Sequence, residues 1–296
     1  MDDNQWLAER FEDHRAHLRA VSYRMLGSLT DADDAVQDAW ERVSRAGTDD
    51  VENLSGWLTT IVARVCLNML RSRNIRREES LEVSVPDPIV CTEGELHPEE
   101  EALLADSVGL ALQVVIDTLA PAERLAFVLH DMFDLPFDEI GPMVGRTSQA
   151  TRQLATRARR RIKGAEISKP ERDLVRQRAV VDAFFAAGRA GDFDALVAVL
   201  HPDVVLRADF SPSRPRRSTV VRGAAAVARQ ARQGARPGAE LHPALVNGAA
   251  GVVITMRGRP FSVMAFTVAG GKIIEIDAIS DPERVGRVAA AFLTDG

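Results

Sequence analysis

The densest chemistry in the sequence lies in one short stretch, LPFDEIGPMVGRTSQATRQLATRARRRIK, residues 135–163. Residues 136–163 hold seven Lys or Arg against two acids, although the whole chain has a net charge of −6. Local charge governs nucleic-acid binding more than the total does. Two short helical patterns flank Gly145, which predicts a helix-turn-helix. On its second helix Leu154, Ala155, Ala158 and Ile162 recur at core-facing spacing, while Gln149, Arg152, Gln153, Thr156 and Arg160 fall outward. Thr147 and Ser148 stand where they can cap that helix and reach phosphates, with Arg146 just before them. A major groove admits one helix, whose N-terminal residues meet base edges. Gln149 and Arg152, about one turn apart, could read bases, and Arg157, Arg159, Arg160 and Arg161 suit phosphates. Such contacts release counterions, so binding would weaken steeply with salt. The plain alternative is a solvated basic helix end, but turn glycine, cap and basic face coincide here.

Other polar residues need helices to align them, and residues 6–77 read as helices. Thr30 followed by Asp33 and Asp34 predicts a helix start, with anions near the positive dipole end. After it Ala32, Ala35, Val36, Ala39 and Val43 form an apolar stripe, with Asp34, Asp38 and Glu41 on the other side. A longer helix begins at Trp57. Its buried face is Leu58, Ile61, Val62, Val65 and Met69, and Thr60, Arg64, Asn68 and Arg71 make a separate polar stripe.

Residues 78–106 carry ten acids and no Lys or Arg. Within them, 78–98 read as a linker with Pro86, Pro88 and Pro98 and little periodicity. A helical pair is expected over about 99–133. From about 171 the texture changes. Helices over 172–189 and 192–200 precede a strand at VVLRA, then a helix at AAAVARQARQ. Strand-like runs GVVITMRG, FSVMAFTVAGG and KIIEIDAIS follow, which makes an α+β unit of about 120 residues. Cys66 and Cys91 lack metal-like spacing and read as reduced thiols. No apolar run is long enough for a membrane span, and the acidic start shows no signal-peptide core, so a cytoplasmic location is expected.

At this point a resemblance covers most of the chain. FEDHRAHLRAVSYRMLGSLTDADDAVQDAWERV and NLSGWLTTIVARVCLNMLRSRNIRREE resemble region 2 of the extracytoplasmic-function sigma factors. LAPAERLAFVLHDMFDLPFDEIGPMVGRTSQATRQLATRARRRI resembles their region 4. Residues 171–290 resemble the SnoaL-like branch of the NTF2-like fold, an appendage that marks a recognised sigma subgroup. The resemblance implies a multidomain chain with two all-α sigma domains and an α+β cone. The divisions expected are region 2 over 1–77, an acidic linker over 78–98, region 4 over 99–164 and the SnoaL-like domain over 171–296.

The resemblance also implies roles. Asp34, Gln37, Asp38 and Glu41 would dock on the clamp helices of RNA polymerase's largest subunit. Asn53, Trp57, Thr60, Arg64, Asn68, Arg71 and Arg73 would hold the melted minus-ten strand, with Trp57 stacking on a base or anchoring the core. Arg146, Thr147, Ser148, Gln149, Arg152, Gln153, Thr156, Arg157 and Arg160 would meet the minus-thirty-five element. Region 4 would also face the polymerase flap. The added domain would regulate in cis through Pro86, Asp87, Pro88 and Asp209. Promoter DNA and core polymerase are the expected partners of a chain that is otherwise a monomer, with no metal or cofactor; a small ligand in the cone is an alternative, as is a stand-alone DNA-binding regulator. An enzyme is the less favoured reading, because His201, Asp209, His242 and Asp277 form no paired constellation in sequence. The sequence departs from the family at Asn68, at Pro142, which should kink the first helix of the motif or shift its start, at Thr151 in an inward position, and at ADFSPSRPRR, which keeps only Asp209 and later basic residues of an Asp-Gly-Gly-Gly-basic signature.

Overall fold

The computed structural model describes residues 3–46, 51, 53–77, 85–92, 110–164, 170–210, 218–234 and 236–292. The chain folds as two compact units. The first gathers Met1–Leu81, Pro98–Asp106 and Gln113–Glu166; the second gathers Glu82–His97, Ser107–Leu112 and Ile167–Gly296.

The first unit is helical. Helices α1 (Asp3–Leu26), α2 (Leu29–Ala46) and α3 (Leu54–Arg77) pack on one another through the apolar stripes. Leu7, Phe11, Leu18, Val21 and Met25 of α1 and Ala35, Val36, Ala39 and Val43 of α2 are all buried. Helix α2 starts earlier than Thr30 predicts, because the Ser28 hydroxyl accepts the Asp31 N–H at 3.4 Å and caps the turn. Helix α1 ends at Gly27, whose φ of 69° favours glycine. A Cβ there would also lie 2.9 Å from an Asp117 carboxylate oxygen.

Helices α4 (Leu110–Asp117), α5 (Pro121–Phe127), α6 (Phe137–Val144) and α7 (Ser148–Gly164) follow, with a π-helical turn over Val128–Met132. Helices α5 and α6 pack on α3, and the π turn packs on α1. The contact is polar at its centre. Helix α1 leaves its last carbonyls without helical partners. Gln113 donates to the Arg24 carbonyl at 3.2 Å and Arg124 to that of Met25 at 2.9 Å. Arg73 donates to Leu26 at 3.3 Å. Arg124, only 3% exposed, also pairs with Asp117 at 2.7 Å. Cations at a helix C-terminus answer its dipole as well as its open carbonyls.

The second unit is a seven-stranded sheet in the order β1-β4-β5-β6-β7-β2-β3. Its strands are β1 (Val90–Thr92), β2 (Leu200–Phe210), β3 (Ser218–Arg222), β4 (Ala239–Val246), β5 (Ala249–Met256), β6 (Arg259–Ala269) and β7 (Lys272–Ser280). Asn247-Gly248 turns β4 into β5 with both residues at positive φ, the geometry a two-residue hairpin demands. Helices α8 (Leu174–Ala190), α9 (Phe193–Val199) and α10 (Ala224–Gly234) cover one face, where Val181, Phe184, Leu196, Val227, Phe266 and Ile276 form the core. Helix α11 (Pro282–Val288) and a 3-10 turn over Ala290–Phe292 serve a second cluster with Val253, Val263 and Ile279. Val85 and Val90, from the segment read as a linker, are buried in that same cluster. β1 pairs antiparallel with β4, Val90 opposite Val246.

Candidate functional site

The helix-turn-helix forms as the residues predict. Gly145 takes φ 68° and carries the chain from α6 to α7. A Cβ on Gly141 would stand 2.7 Å from the Arg146 carbonyl, so the two helices approach closely there. Helix α6 runs through Pro142 from Phe137 to Val144; its start is set by Pro136 and is not shifted. The Thr147 hydroxyl accepts the Ala150 N–H at 3.2 Å and caps α7. Thr151 is fully buried, and its hydroxyl is satisfied by the Thr147 carbonyl at 3.0 Å. That bond explains how a polar side chain serves at an inward position. Ala155 and Ala158 are buried, with Leu154 and Ile162 half-buried. Arg146, Thr147, Ser148, Gln149, Arg152, Gln153 and Arg160 are exposed, and Thr156 is half-buried, its hydroxyl turned back to the Arg152 carbonyl at 2.8 Å.

The arginines of α7 divide in a way the sequence does not show. Arg159 grips Asp131 with two bonds, 2.6 and 3.0 Å. Glu123 of α5 takes Arg157 at 3.3 Å and Arg161 at 3.5 Å. Three of the four arginines read as phosphate ligands therefore pair with acids of their own scaffold, Arg159 most firmly. Among the described residues, Arg152 and Arg160 have no such acidic partner. Arg152 lies with its guanidinium 5.5 Å from the centre of the Phe137 ring.

On α3 the expected stripe forms. Arg64, Asn68 and Arg71 are exposed and Thr60 is half-buried, while Leu58, Val62 and Val65 are buried behind them. Asn53 is exposed and caps α3 by accepting the Gly56 N–H at 3.0 Å. Trp57 is half-buried, neither sealed in the core nor fully free. Arg73 stands apart from this stripe. It pairs with Asp31 and donates to the Leu26 carbonyl at the end of α1. Asp34, Gln37, Asp38 and Glu41 are all exposed on α2, at the spacing that puts them on one side of a helix.

In the second unit one cation gathers the residues expected to regulate. Arg284, near the start of α11, donates to Asp87 at 2.6 Å, to Asp209 at 2.5 Å and to the Val85 carbonyl at 2.5 Å. Pro86, Asp87 and Pro88 are buried. Burial raises the Asp209 carboxyl above its ordinary range against the pull of Arg284. Asn247 completes the hold, because its side chain accepts the Ile89 N–H while its own N–H donates to the Ile89 carbonyl, both at 2.8 Å. The later basic residues of the altered signature, 214–217, lie outside the described residues. The enzyme candidates are not brought together. Asp277 pairs with Arg207 at 3.0 Å, and Arg207 also takes Glu275 at 2.9 Å. His242 bonds Thr255 at 2.8 Å, and the His201 ring accepts the Asp203 N–H at 3.2 Å near the start of β2. Asp277 alternates with Ile276 of the helix-covered core, so it belongs to the opposite face of β7.

Residues 10–75 match the family Sigma-70 region 2, residues 109–162 match Sigma-70, region 4, and residues 181–277 match the SnoaL-like domain. The probable ECF RNA polymerase sigma factor SigI of Mycobacterium tuberculosis is 32% identical over 98% of both chains. The ECF RNA polymerase sigma factor SigJ of the same species is 35% identical over 93% of this chain and 91% of its own. The chain belongs to the ECF RNA polymerase sigma factors. The crystal structure of SigJ superposes with a TM-score of 0.74 at 33% identity, covering 94% of this chain and 97% of that one.

The sigma factor thus directs RNA polymerase to promoters through regions 2 and 4 and carries a helix-plus-sheet SnoaL-like domain. Among the described residues no helix is long and apolar enough to cross a membrane, and no cluster of three metal-ligating side chains occurs. Both cysteines are buried and outside any disulfide, and burial pushes the Cys66 thiol up to about 12, which leaves it unreactive. Sequence reasoning missed Arg284, Asn247, Gln113 and Arg124. The Asn-Gly pair and the Asp281-Pro282 helix start announce local turns, but nothing local announces partners more than 80 residues away.

Proposed function

We propose that α7 reads the minus-thirty-five element with Gln149, Arg152 and Gln153, and that Arg146, Thr147, Ser148, Thr156 and Arg160 fix its register on the backbone. Asn53, Trp57, Thr60, Arg64, Asn68 and Arg71 take the melted minus-ten strand. The acidic face of α2, Asp34, Gln37, Asp38 and Glu41, docks on the clamp helices of the polymerase's largest subunit, and region 4 meets the flap. The observation that carries this reading is the pairing of Arg157, Arg159 and Arg161 with Glu123 and Asp131. It leaves the N-terminal half of α7 and Arg160 as the parts free to meet DNA. The sigma factor works in the cytoplasm, as a monomer until it meets core polymerase.

The SnoaL-like domain acts on this machinery in cis and is not an enzyme. Support comes from Arg284, which binds linker residues Val85 and Asp87 and domain residue Asp209 at one point. Phe184, Phe185 and Phe266 pack edge to face within the helix-covered core, which favours protein contact over ligand sensing. The test is Arg284→Gln in the full chain. Transcription should change across a promoter panel while affinity for core polymerase holds. Unchanged transcription, with the linker newly open to proteolysis, would sink the regulatory reading.

A further inference from the structure

A π-helical turn over Val128–Met132 follows α5 directly. Such turns are uncommon, and they recur at functional sites. This one sends two successive side chains to the helix-turn-helix. Asp131 holds Arg159. His130 bonds the Leu135 carbonyl through Nδ1 at 2.8 Å; a carbonyl only accepts, so Nδ1 carries the proton and the ring orientation is fixed. The imidazole lies on the Phe137 ring, centroids 3.8 Å apart and 32° between planes. Phe137 is buried and carries the Arg152 guanidinium at 5.5 Å. A chain of contacts therefore runs from Leu135 through His130 and Phe137 to Arg152.

The chemistry of arginine gives that chain a purpose. A free arginine side chain loses much rotamer freedom when it is placed against one base. Lying on an aromatic face, it keeps its N–H donors available for a two-bond contact with a guanine edge. The ring spends part of the ordering cost before DNA arrives.

We infer that His130 and Phe137 are positioning residues for promoter reading, holding Arg152 in the orientation that discriminates bases. This rests on the proposal that Arg152 reads the minus-thirty-five element. Both can be tested with full-length sigma factor, core polymerase and promoters carrying every single-base change in that element. Arg152→Ala should flatten discrimination at one or two positions by about tenfold or more. His130→Ala should flatten the same positions by several-fold and add nothing in the Arg152→Ala background. His130→Phe, which keeps a ring on Phe137, should restore most of the preference. Should His130→Ala weaken folding, Phe137→Leu carries the same test, since it keeps apolar volume and loses the ring. If Arg152→Ala leaves every preference intact, the base-reading proposal fails. If Arg152→Ala flattens preference but His130→Ala and Phe137→Leu lower all promoters alike, or add to Arg152→Ala, the positioning role is overturned and the base-reading proposal stands.

Discussion

At the scale of single residues, identical side chains on one helix hold different posts. Arg157, Arg159, Arg160 and Arg161 look equivalent in sequence, and all four suit phosphates by charge. Geometry separates them. The Arg159–Asp131 pair is bidentate with both side chains partly covered, whereas the Arg157 side chain is 61% exposed beside Glu123. An exposed single contact of that kind is worth under about 1 kcal/mol, so Arg157 can trade Glu123 for a phosphate, but Arg159 is held. Arg160→Ala should therefore weaken binding to all minus-thirty-five sequences alike and lower the salt slope by about one, while Arg159→Ala should leave the slope unchanged. Titrating holoenzyme against promoter DNA at several salt concentrations checks both. Equal slopes for the two variants would contradict the division. The outward and inward sides of α7 were legible because helical period alone assigns them. The ion pairs were not, since Glu123 and Asp131 sit in a preceding helical stretch whose phase relative to α7 depends on the fold.

Among the elements, the least legible was β1. PDPIV reads as irregular chain, and its partner β4 lies some 150 residues further on. A three-residue strand leaves no alternation to detect. The helices of region 2 and strands β5 to β7 were legible, because stripe spacing and the Gly-Gly turn are local, whereas β4 and its Asn-Gly turn went unread. Within β2 and β7, one arginine serves two carboxylates. Burial and the neighbouring Glu275 push the Asp277 carboxyl up to about 6 despite Arg207. A group that holds its proton more firmly when folded adds stability at low pH and loses it as pH rises through about 4 to 6. Asp277→Asn should remove that loss. Urea midpoints at pH 4.5 and pH 7 should differ less in the variant than in the parent; an identical pH trend would show Asp277 ionised throughout. At the end of α1, Gly27→Ala should cost about 1–2 kcal/mol from its backbone conformation, plus the displacement of Asp117. The same denaturation series, run at pH 7, measures it.

For the molecule as a whole, the packing of region 4 on region 2 sets a geometric problem. The first unit holds about 140 residues, which as a compact body has a radius of gyration of about 15 Å and a breadth of roughly 40 Å. Promoter elements named for positions ten and thirty-five are about 25 base pairs apart, or about 85 Å along B-form DNA. If α3 takes one element and α7 the other, as proposed, one compact body of that breadth cannot hold both. On that proposal the unit would part where α5 and α6 meet α3, and the bonds that would resist parting are those of Gln113 and Arg124 to the end of α1. Removing a buried charged donor that serves a carbonyl and Asp117 costs more than a neutral hydrogen bond, about 1.5–3 kcal/mol. Arg124→Ala should therefore shift the free sigma factor toward the open form by ten-fold or more. Spin labels on Glu9→Cys and Lys163→Cys report the separation of the two regions. The parent should give one short distance when free and a distance several tens of ångströms longer with core polymerase and promoter. Arg124→Ala should show the longer population without polymerase. A single short distance in both free proteins would mean that the helix-end bonds do not hold the unit closed, and an unchanged distance in the promoter complex would overturn the opening itself.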